Sequence, residues 1–566
     1  MADVWRLRRR QAQPSSEDAL HSTMPTLTLS KWSNAEGRVL QVDTDETVLL
    51  EILERLAAQP ELSNETYLRI VNGYARETGR HFSKSELLDG YRQLVRAGKF
   101  PESRKLYQCL LRKPVRTHSG VAPVTVLTKP YPCPGRCIFC PTFDIMPKSY
   151  VPDEPGSLRA LQNDFDPWAQ TRSRLRSFQA TGHSAGKVEL LILGGTWSAY
   201  PRDYREWFVQ RCFDAMNGCD SHSLREAQRL NETAPHRNVG LVIETRPDAV
   251  TPREVAHLRY LGVTKVQLGL QSLDDRILAL NKRGHTVEDM RRAVRMLRGA
   301  GFKIVLHWMA NLYGDTPESD YEDFLRLWSD PAIRPDELKI YPCSLLKETE
   351  LYREYYLKGL YRPYSEEELI ALIARCKTHV PPYCRINRIF RDIPSPNIVE
   401  GNKKTNLRQL VQRYMREHGM TCRCLRCREV RRQAVAPHHL RLQILPYETD
   451  INREYFISYV TPDDRVAGFL RLSLPDSPEV VPIDEISHAA MIREVHVYGP
   501  ALDIGRDSRG EAQHTGLGTR LVAEAKRIAY AEGFRELAVI AAIGTRDYYR
   551  RLGFELGELY MTTPLS

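Results

Sequence analysis

No run of about 18 apolar residues occurs anywhere in the 566-residue chain, so no segment reads as a membrane span. The opening Met-Ala-Asp-Val-Trp-Arg-Leu-Arg-Arg-Arg lacks the apolar stretch of a secretory signal. Cysteine is scarce, twelve in all, and six of the twelve are clustered at metal-like spacings. That argues against a disulfide framework and for a reducing compartment, so a cytoplasmic location is expected. Charge outside one short stretch is nearly balanced. Between Lys403 and Arg432, ten Lys or Arg face only Glu417 and Glu429, which is +8 of the chain's +10. A charge this concentrated points to a polyanion partner, with Lys403, Lys404, Arg408, Arg413, Arg423, Arg426 and Arg428 as candidate contacts. Hydrophobic content of 42% is ordinary, and the length suits three or four domains, since single cores rarely exceed about 250 residues.

What stands out against this background is Lys-Pro-Tyr-Pro-Cys-Pro-Gly-Arg-Cys-Ile-Phe-Cys-Pro, residues 129–141. Prolines at 130, 132, 134 and 141 exclude a regular helix or interior strand, and Gly135 lets the segment fold back. Cys133, Cys137 and Cys140 can then converge with no fourth thiol nearby. That pattern suits an iron–sulfur cluster held through three irons, the fourth open to a ligand; half a zinc site or inert buried thiols are the plainer alternatives. The Cys-x3-Cys-x2-Cys spacing resembles the cluster loop of radical S-adenosylmethionine (SAM) enzymes. The resemblance implies a 4Fe-4S cluster whose open iron chelates SAM, with Lys129 among the cofactor contacts.

In chain order, residues 1–40 read as a mobile basic arm without hydrophobic period. Residues 41–112 are helical: Val48, Leu49, Ile52, Leu53 and Leu56 form one stripe, Tyr67, Ile70, Val71 and Tyr74 another, and Ser83-x-x-Glu86 is a capping box. Residues 113–400 alternate strand-like and helix-like segments, the strands being Pro123–Thr128, Val188–Leu193, Val239–Glu244, Val263–Leu270, Lys303–Met309 and Glu337–Tyr341. Six such units predict an α/β architecture, a partial (β/α)6 barrel whose near-continuous apolar strands are buried on both faces. Function in such barrels gathers at the C-terminal strand ends. There lie Gly194-Gly195, read as close backbone approach to SAM or simply a tight turn, then Glu244 and Arg246, read as ligand contacts or a structural ion pair. Gln271 ends the fourth strand.

Residues 401–437 form the basic linker, which contains Cys422-Arg-Cys424-Leu-Arg-Cys427. Thiols so close to arginines are reactive unless bound. A structural zinc site is expected, with Cys343 as fourth ligand and His438 or His439 as substitutes; a second cluster or free thiols are the rivals. From 438 to 566 the period is strand-like, interrupted by Gln513-His514-Thr515-Gly516-Leu517-Gly518-Thr519 opening a helix. Free N–H groups at such a turn suit a phosphate.

That loop, with the closing Tyr548-Tyr549-x-x-Leu-Gly-Phe, resembles the GNAT acetyltransferases. The resemblance implies an α+β domain binding acetyl-CoA through residues 513–519 and through Glu494, His496 and Val497, with Tyr548 and Tyr549 near the thioester. A radical SAM barrel followed by a GNAT domain, preceded by a small N-terminal helical domain, is similar to the catalytic subunit of Elongator in its single-chain bacterial and archaeal form. Ile243-Glu-Thr-Arg-Pro-Asp, Gln267-Leu-Gly-Leu-Gln-Ser, Lys282-Arg-Gly-His-Thr and Arg391-Asp-Ile-Pro-Ser carry that likeness from about residue 110 onward. The stretch Trp308-Met-Ala-Asn-Leu-Tyr-Gly departs from it. The family implies addition of a carboxymethyl group to C5 of a tRNA wobble uridine. A SAM-derived radical takes hydrogen from the acetyl methyl, the carbon radical adds to uracil, and thioester hydrolysis follows. The partner is then a tRNA anticodon loop, and a monomer or homodimer is expected. Lysine acetylation with Glu494 as base, or a non-catalytic tRNA scaffold, are the rival readings.

Overall fold

The computed structural model describes residues 42–79, 81–111, 120–431, 435, 437–499 and 516–566. The expected arm over residues 1–40 lies outside them, as do Gln513, His514 and Thr515.

Two compact units divide the chain, one ending at Cys109 and one beginning at Leu110. In the first, helices Val42–Ala57, Asn64–Thr78 and Lys84–Arg96 bury the expected stripes, including Leu49, Ile52, Leu53, Leu56, Leu87 and Leu88. Ser63 accepts from the Thr66 N–H, and Ser83 with Glu86 forms the complete capping box. Gly90 is packed so tightly on Leu49 that an added Cβ would come within 2.8 Å of it, which lets the first and third helices approach closely.

The second unit holds two seven-stranded sheets and a small antiparallel pair, Leu345–Leu346 with Ile398–Glu400. The first contains β1 Ala122–Leu127, β2 Lys187–Leu193, β3 Arg237–Thr245, β4 Lys265–Gln271, β5 Lys303–Trp308, β6 Glu337–Ile340 and β7 Arg385–Arg388, side by side in that order and parallel throughout. Helices cover its convex side; Val287–Gly299, capped by Thr286 and Asp289, packs Met290, Val294 and Leu297 into the common core. The sheet differs from expectation in two ways. It has seven strands, not six, because β7 is Arg-Ile-Asn-Arg and offers one apolar residue to any periodicity. Its strands are also not apolar on both faces. Val266, Leu268 and Leu270 point into the helical core, whereas Lys265, Gln267 and Gln271 line an interior cavity of about 860 Å³. Lys303 and His307 on β5, and Glu337 and Lys339 on β6, do the same. The sheet curls into a half-barrel, so its concave side encloses polar space instead of packing on a layer.

The second sheet runs β8 Arg441–Glu448, β9 Asn452–Val460, β10 Val466–Pro475, β11 Ala490–Val497, β12 Glu536–Val539, β13 Glu555–Leu556 and β14 Met561–Pro564, in the order β8-β9-β10-β11-β12-β14-β13. Strands β8 to β11 are an antiparallel meander, and β11 pairs with β12 in parallel. The helix Leu517–Ala531 makes the crossover between them, starting from Gly516, whose φ of +73° is the left-handed conformation glycine supplies cheaply. Pairing of β11 with β12 stops at Ile492–Val539, although β11 continues to Val497. Beyond that point the strands part, and Glu494 and His496 on one side face Ala541 across the same cavity.

A fully buried charge network fastens the two sheets. Asp336, at the head of β6, accepts from Arg493 at 2.8 and 2.6 Å and lies 3.5 Å from Arg471; Arg493 also meets Glu454 at 3.1 Å. Burial alone would raise the Asp336 pKa, but Arg493 and Arg471 outweigh it and hold the carboxyl well below the usual range.

Candidate active site

At the C-terminal mouth of the half-barrel, the segment 129–141 forms the expected irregular loop. Cys137 is buried, Cys133 and Cys140 half-buried. Cys133 Sγ accepts from the Gly135 N–H (3.4 Å) and touches Thr196 Oγ1 (3.4 Å), while Arg283 donates to Cys137 Sγ (3.5 Å). Burial, then the neighbouring Cys137, push the Cys140 thiol up to about 12, so it becomes a thiolate only if a cation replaces its proton.

The surroundings fit a charged group held here. Arg246 Nη1, Arg283 Nε and Gln271 Oε1 are buried with no hydrogen-bond partner. Buried polar atoms are costly when unpaired. A Cβ on Gly135 would lie 2.4 Å from Arg246 Nη1, and one on Gly194 would lie 1.8 Å from Thr128 Oγ1. Gly194 and Gly195 have φ of +143° and +90°. These glycines keep a cradle open that any side chain would fill. Two guanidinium groups and an amide with a tight backbone turn suit both a thiolate-held cluster and the amino-acid end of SAM.

The strand-end residues sort differently from the ion pair considered for Glu244 and Arg246. Arg246 pairs with Asp248 (Nε–Oδ1 2.9 Å) and donates to the Arg283 carbonyl. Glu244 instead accepts from the Tyr150 hydroxyl (3.1 Å) and faces His307 (3.6 Å). Gln271 adopts a left-handed backbone, φ +72°. The Lys129 ammonium lies 5.0 Å from the centre of the Tyr204 ring, and its carbonyl accepts from Tyr200.

In the second sheet, Glu494 is engaged by Lys303 and by Arg471 (2.9 Å). Burial would raise it, but the two cations hold it below the ordinary carboxylate range. A carboxylate clamped between two cations is a poor general base, which removes the groundwork for lysine acetylation through Glu494. His496 is half-buried, with its Nε2 buried and unpartnered, and desolvation drives its pKa down to about 4. Tyr549 is buried and lines the cavity. The Tyr548 hydroxyl sits where a Gly518 Cβ would come within 2.6 Å, at the first turn of the helix Leu517–Ala531 beside Thr519, and Val497 flanks the same glycine. Residues 516–519, 494–497 and 548–549 therefore meet around one helix start.

Cys422, Cys424 and Cys427 bring their sulfurs within 4.8 Å of one another, the one such donor group among the described residues. Hydrogen bonds from Cys422 and Cys427 hold the Cys424 thiol well below its usual pKa. Lys377 is fully buried nearby with its ammonium unpartnered. Cys343 does not join them, correcting the expected fourth ligand. It follows the C-terminal end of β6 and packs with Ile138, Leu312 and Tyr361. The triad sits at the opposite end of the sheet, where the Leu425 N–H donates to the carbonyl of Cys384, just before β7. His438 and His439 are exposed and outside the group.

The basic stretch also divides. Lys403, Lys404, Arg413 and Arg423 are exposed, as is Arg416. Arg408 instead donates to the carbonyls of Ile386 and Asn387 (3.1 Å each), Arg428 is buried on Asp464 (2.5 Å) and Gln443, and Arg426 lines the cavity. Reading the sequence for charge missed this division, and it also missed Arg283, Tyr150, Gln267, His307 and Lys339. For Gln267, His307 and Lys339, the polar residues recurring at alternate positions of β4, β5 and β6, broken by Gly269 and Val305, were the available signal.

This fold and site define a radical SAM protein: the Radical SAM superfamily pattern matches residues 131–327, and the Radical_SAM C-terminal domain matches 335–417. The tRNA uridine(34) acetyltransferase of Methanocaldococcus jannaschii is 43% identical over 475 residues, 81% of this chain and 87% of that protein. Elongator complex protein 3 of Homo sapiens is 37% identical over 489 residues, 82% of this chain and 88% of that protein. The solved structure of the archaeal Methanocaldococcus infernus Elp3, with residues 1–46 deleted, superposes with a TM-score of 0.69 at 39% identity, covering 79% of this chain and 100% of that one. The chain belongs to the family of tRNA uridine(34) acetyltransferases and Elongator complex protein 3.

Proposed function

We propose that this protein modifies the wobble uridine of tRNA at C5, with acetyl-CoA as carbon donor and carboxymethyluridine as product. The observation that carries the reading is the cradle of Cys133, Cys137 and Cys140 flanked by Arg246, Arg283 and Gln271, each with one buried polar atom left unpartnered, in a chain 43% identical to a tRNA uridine(34) acetyltransferase. Cys133, Cys137 and Cys140 hold the cluster, and Gly194, Gly195, Arg246 and Gln271 receive SAM. When bound, that pair supplies a one-electron source and a carbon-centred radical able to take hydrogen from an unactivated methyl group.

The rest is work for the chain's own residues. Arg283 donates to the Cys137 sulfur and offsets the thiolate charge. The helix start at Gly516–Thr519, with residues 513–515, binds the pyrophosphate of acetyl-CoA. Tyr548 and Tyr549 lie toward the thioester end, with Tyr549 as proton donor to the departing thiolate. Lys403, Lys404, Arg413 and Arg423 hold the tRNA backbone, and the anticodon loop, being single-stranded, can unstack its uridine toward the mouth. Cys422, Cys424 and Cys427 hold a structural zinc that pins the basic linker; Lys377 supplies a compensating charge. Neither a second cluster nor free thiols account as well for three sulfurs meeting beside that buried ammonium.

The test is anaerobic. Reconstituted protein is given SAM, reductant, acetyl-CoA and tRNA, and the nucleosides are analysed. Carboxymethyluridine should form with the intact chain and be absent with Cys137→Ala. Equal acetylation of lysine peptides by both proteins, with tRNA untouched, would overturn the reading.

A further inference from the structure

The two halves of the site are joined through the interior of the half-barrel. One cavity of about 860 Å³ begins beside Met309 and Tyr341 at the mouth and ends beside Glu494, His496 and Tyr549 in the second sheet. Closed barrels of this class fill their interior with layers of branched apolar side chains. Here the inward positions of β1 to β3 are largely apolar, but those of β4 to β6 include Lys265, Gln267, Lys303, His307, Glu337 and Lys339, an expensive choice unless something polar occupies the space.

Most of those charges answer one another. Lys265 pairs with Glu189 (2.6 Å) and Glu337 (3.4 Å); Lys303 pairs with Glu337 (2.5 Å) and Glu494. Lys339 differs. Its ammonium donates to the neutral amide oxygen of Gln267, and no carboxylate among the described residues lies within ion-pair distance of it. The same amide oxygen accepts from His307 Nε2 (3.0 Å), so Gln267 is held between two donors and fixes both. Lys339 stands two residues beyond Glu337, which touches the Lys303–Glu494 pair, and two before Tyr341, whose ring packs on His307 (5.3 Å). At two residues each way, Lys339 is about 7 Å along the strand from both ends of the charged layer.

We propose that the half-barrel lumen is an internal passage between the two sites, and that Lys339, positioned by Gln267 and His307, is a binding station within it for a short carboxylate such as acetate. This rests on the proposed function for the source of the carboxylate, with thioester hydrolysis preceding addition to uracil instead of following it: hydrolysis of an acetyl thioester by water gives acetate and the free thiol. The cation, held by a neutral amide and flanked by a neutral imidazole, retains its capacity for a charge-assisted hydrogen bond. The passage excludes tRNA by size, so the nucleic acid meets the small fragment only at the mouth.

The experiment titrates carboxyl-labelled [13C]acetate into full-length protein and follows the carboxyl resonance. The wild type should bind acetate, and acetamide should not compete. Lys339→Met should weaken binding about 10-fold or more, while Lys339→Arg should stay within about 3-fold, as loss or retention of a charged hydrogen bond implies. Unchanged acetate binding in Lys339→Met overturns the station. The passage is tested by narrowing it with Val305→Phe, or with Thr125→Phe should the first not fold. Carboxymethyluridine should then fall about 10-fold or more while acetyl-CoA hydrolysis persists; product at the wild-type rate overturns the passage. Should the wild type make no carboxymethyluridine, the proposed function fails, while the acetate titration still decides the station.

Discussion

At the scale of single residues, burial and charge decide which groups are available for chemistry. Arg283 illustrates this: its guanidinium reaches Cys137 Sγ while another of its nitrogens donates to the Gly269 carbonyl (2.8 Å). Hydrogen bonds to cluster sulfurs stabilise the more negative, reduced state. Arg283→Met should therefore retain iron but lower the reduction potential, measured by redox titration with EPR detection, whereas Cys137→Ala should lose the iron itself. His496 provides a second case. Burial drives its pKa down to about 4, against about 6.5 when unfolded, so between these values the unfolded chain binds the extra proton. Its contribution to stability is complete above pH 6.5 and is lost as pH falls toward 4, by up to about 3 kcal/mol at 1.36 kcal/mol per unit. Denaturant titrations at pH 7 and pH 4.5 should show this difference shrinking in His496→Gln. Buried His257, His285 and His307 shift in the same direction, so some acid sensitivity should remain.

At the scale of elements, the basic linker is the clearest example of one sequence feature doing two jobs. The helix Leu407–Glu417 buries Leu407, Val411 and Met415 and leaves Arg413 and Arg416 outside. Arg428, by contrast, is buried against Asp464 from the turn between β9 and β10. Arg413→Glu should leave thermal stability within about 0.5 kcal/mol of the wild type while weakening tRNA binding and reducing its salt dependence. Arg428→Ala should do the reverse, costing roughly 1–2 kcal/mol because the buried Arg428 loses its contacts while the half-exposed Asp464 stays solvated, with little direct effect on the salt slope of binding. Filter binding across a salt series, together with thermal melts, separates the two outcomes.

At the scale of the whole molecule, the half-barrel and the second sheet behave as one body because Asp336, Arg471, Arg493 and Glu454 meet with no solvent access. Breaking such a network leaves an uncompensated charge, which costs about 3–5 kcal/mol. Asp336→Asn should therefore destabilise strongly and split the single unfolding transition of this unit into two, seen by calorimetry. The same network gives the cavity its geometry. It seats β11 against the base of the half-barrel, so that the point where β11 leaves β12 opens into the lumen instead of into solvent.

Sequence by itself determined the parts. The thiol spacing at Cys133, Cys137 and Cys140, the strand–helix alternation, and the glycine turn opening Leu517–Ala531 are local patterns, since covalent spacing and backbone preference act over a few residues. The capping box at Ser83 and Glu86 was legible for the same reason. The seventh strand was not, because four residues with one apolar position carry no period. Nor was the fate of Cys343, since which end of a strand a residue follows matters only once the sheet exists. Tertiary structure alone decided that Arg408 and Arg428 serve the fold, that Glu494 is held between cations, and that alternate polar residues on β4, β5 and β6 share one lumen. Those are outcomes of long-range packing, where charges distant in sequence are brought out of water together and must be answered by whatever neighbours the fold supplies.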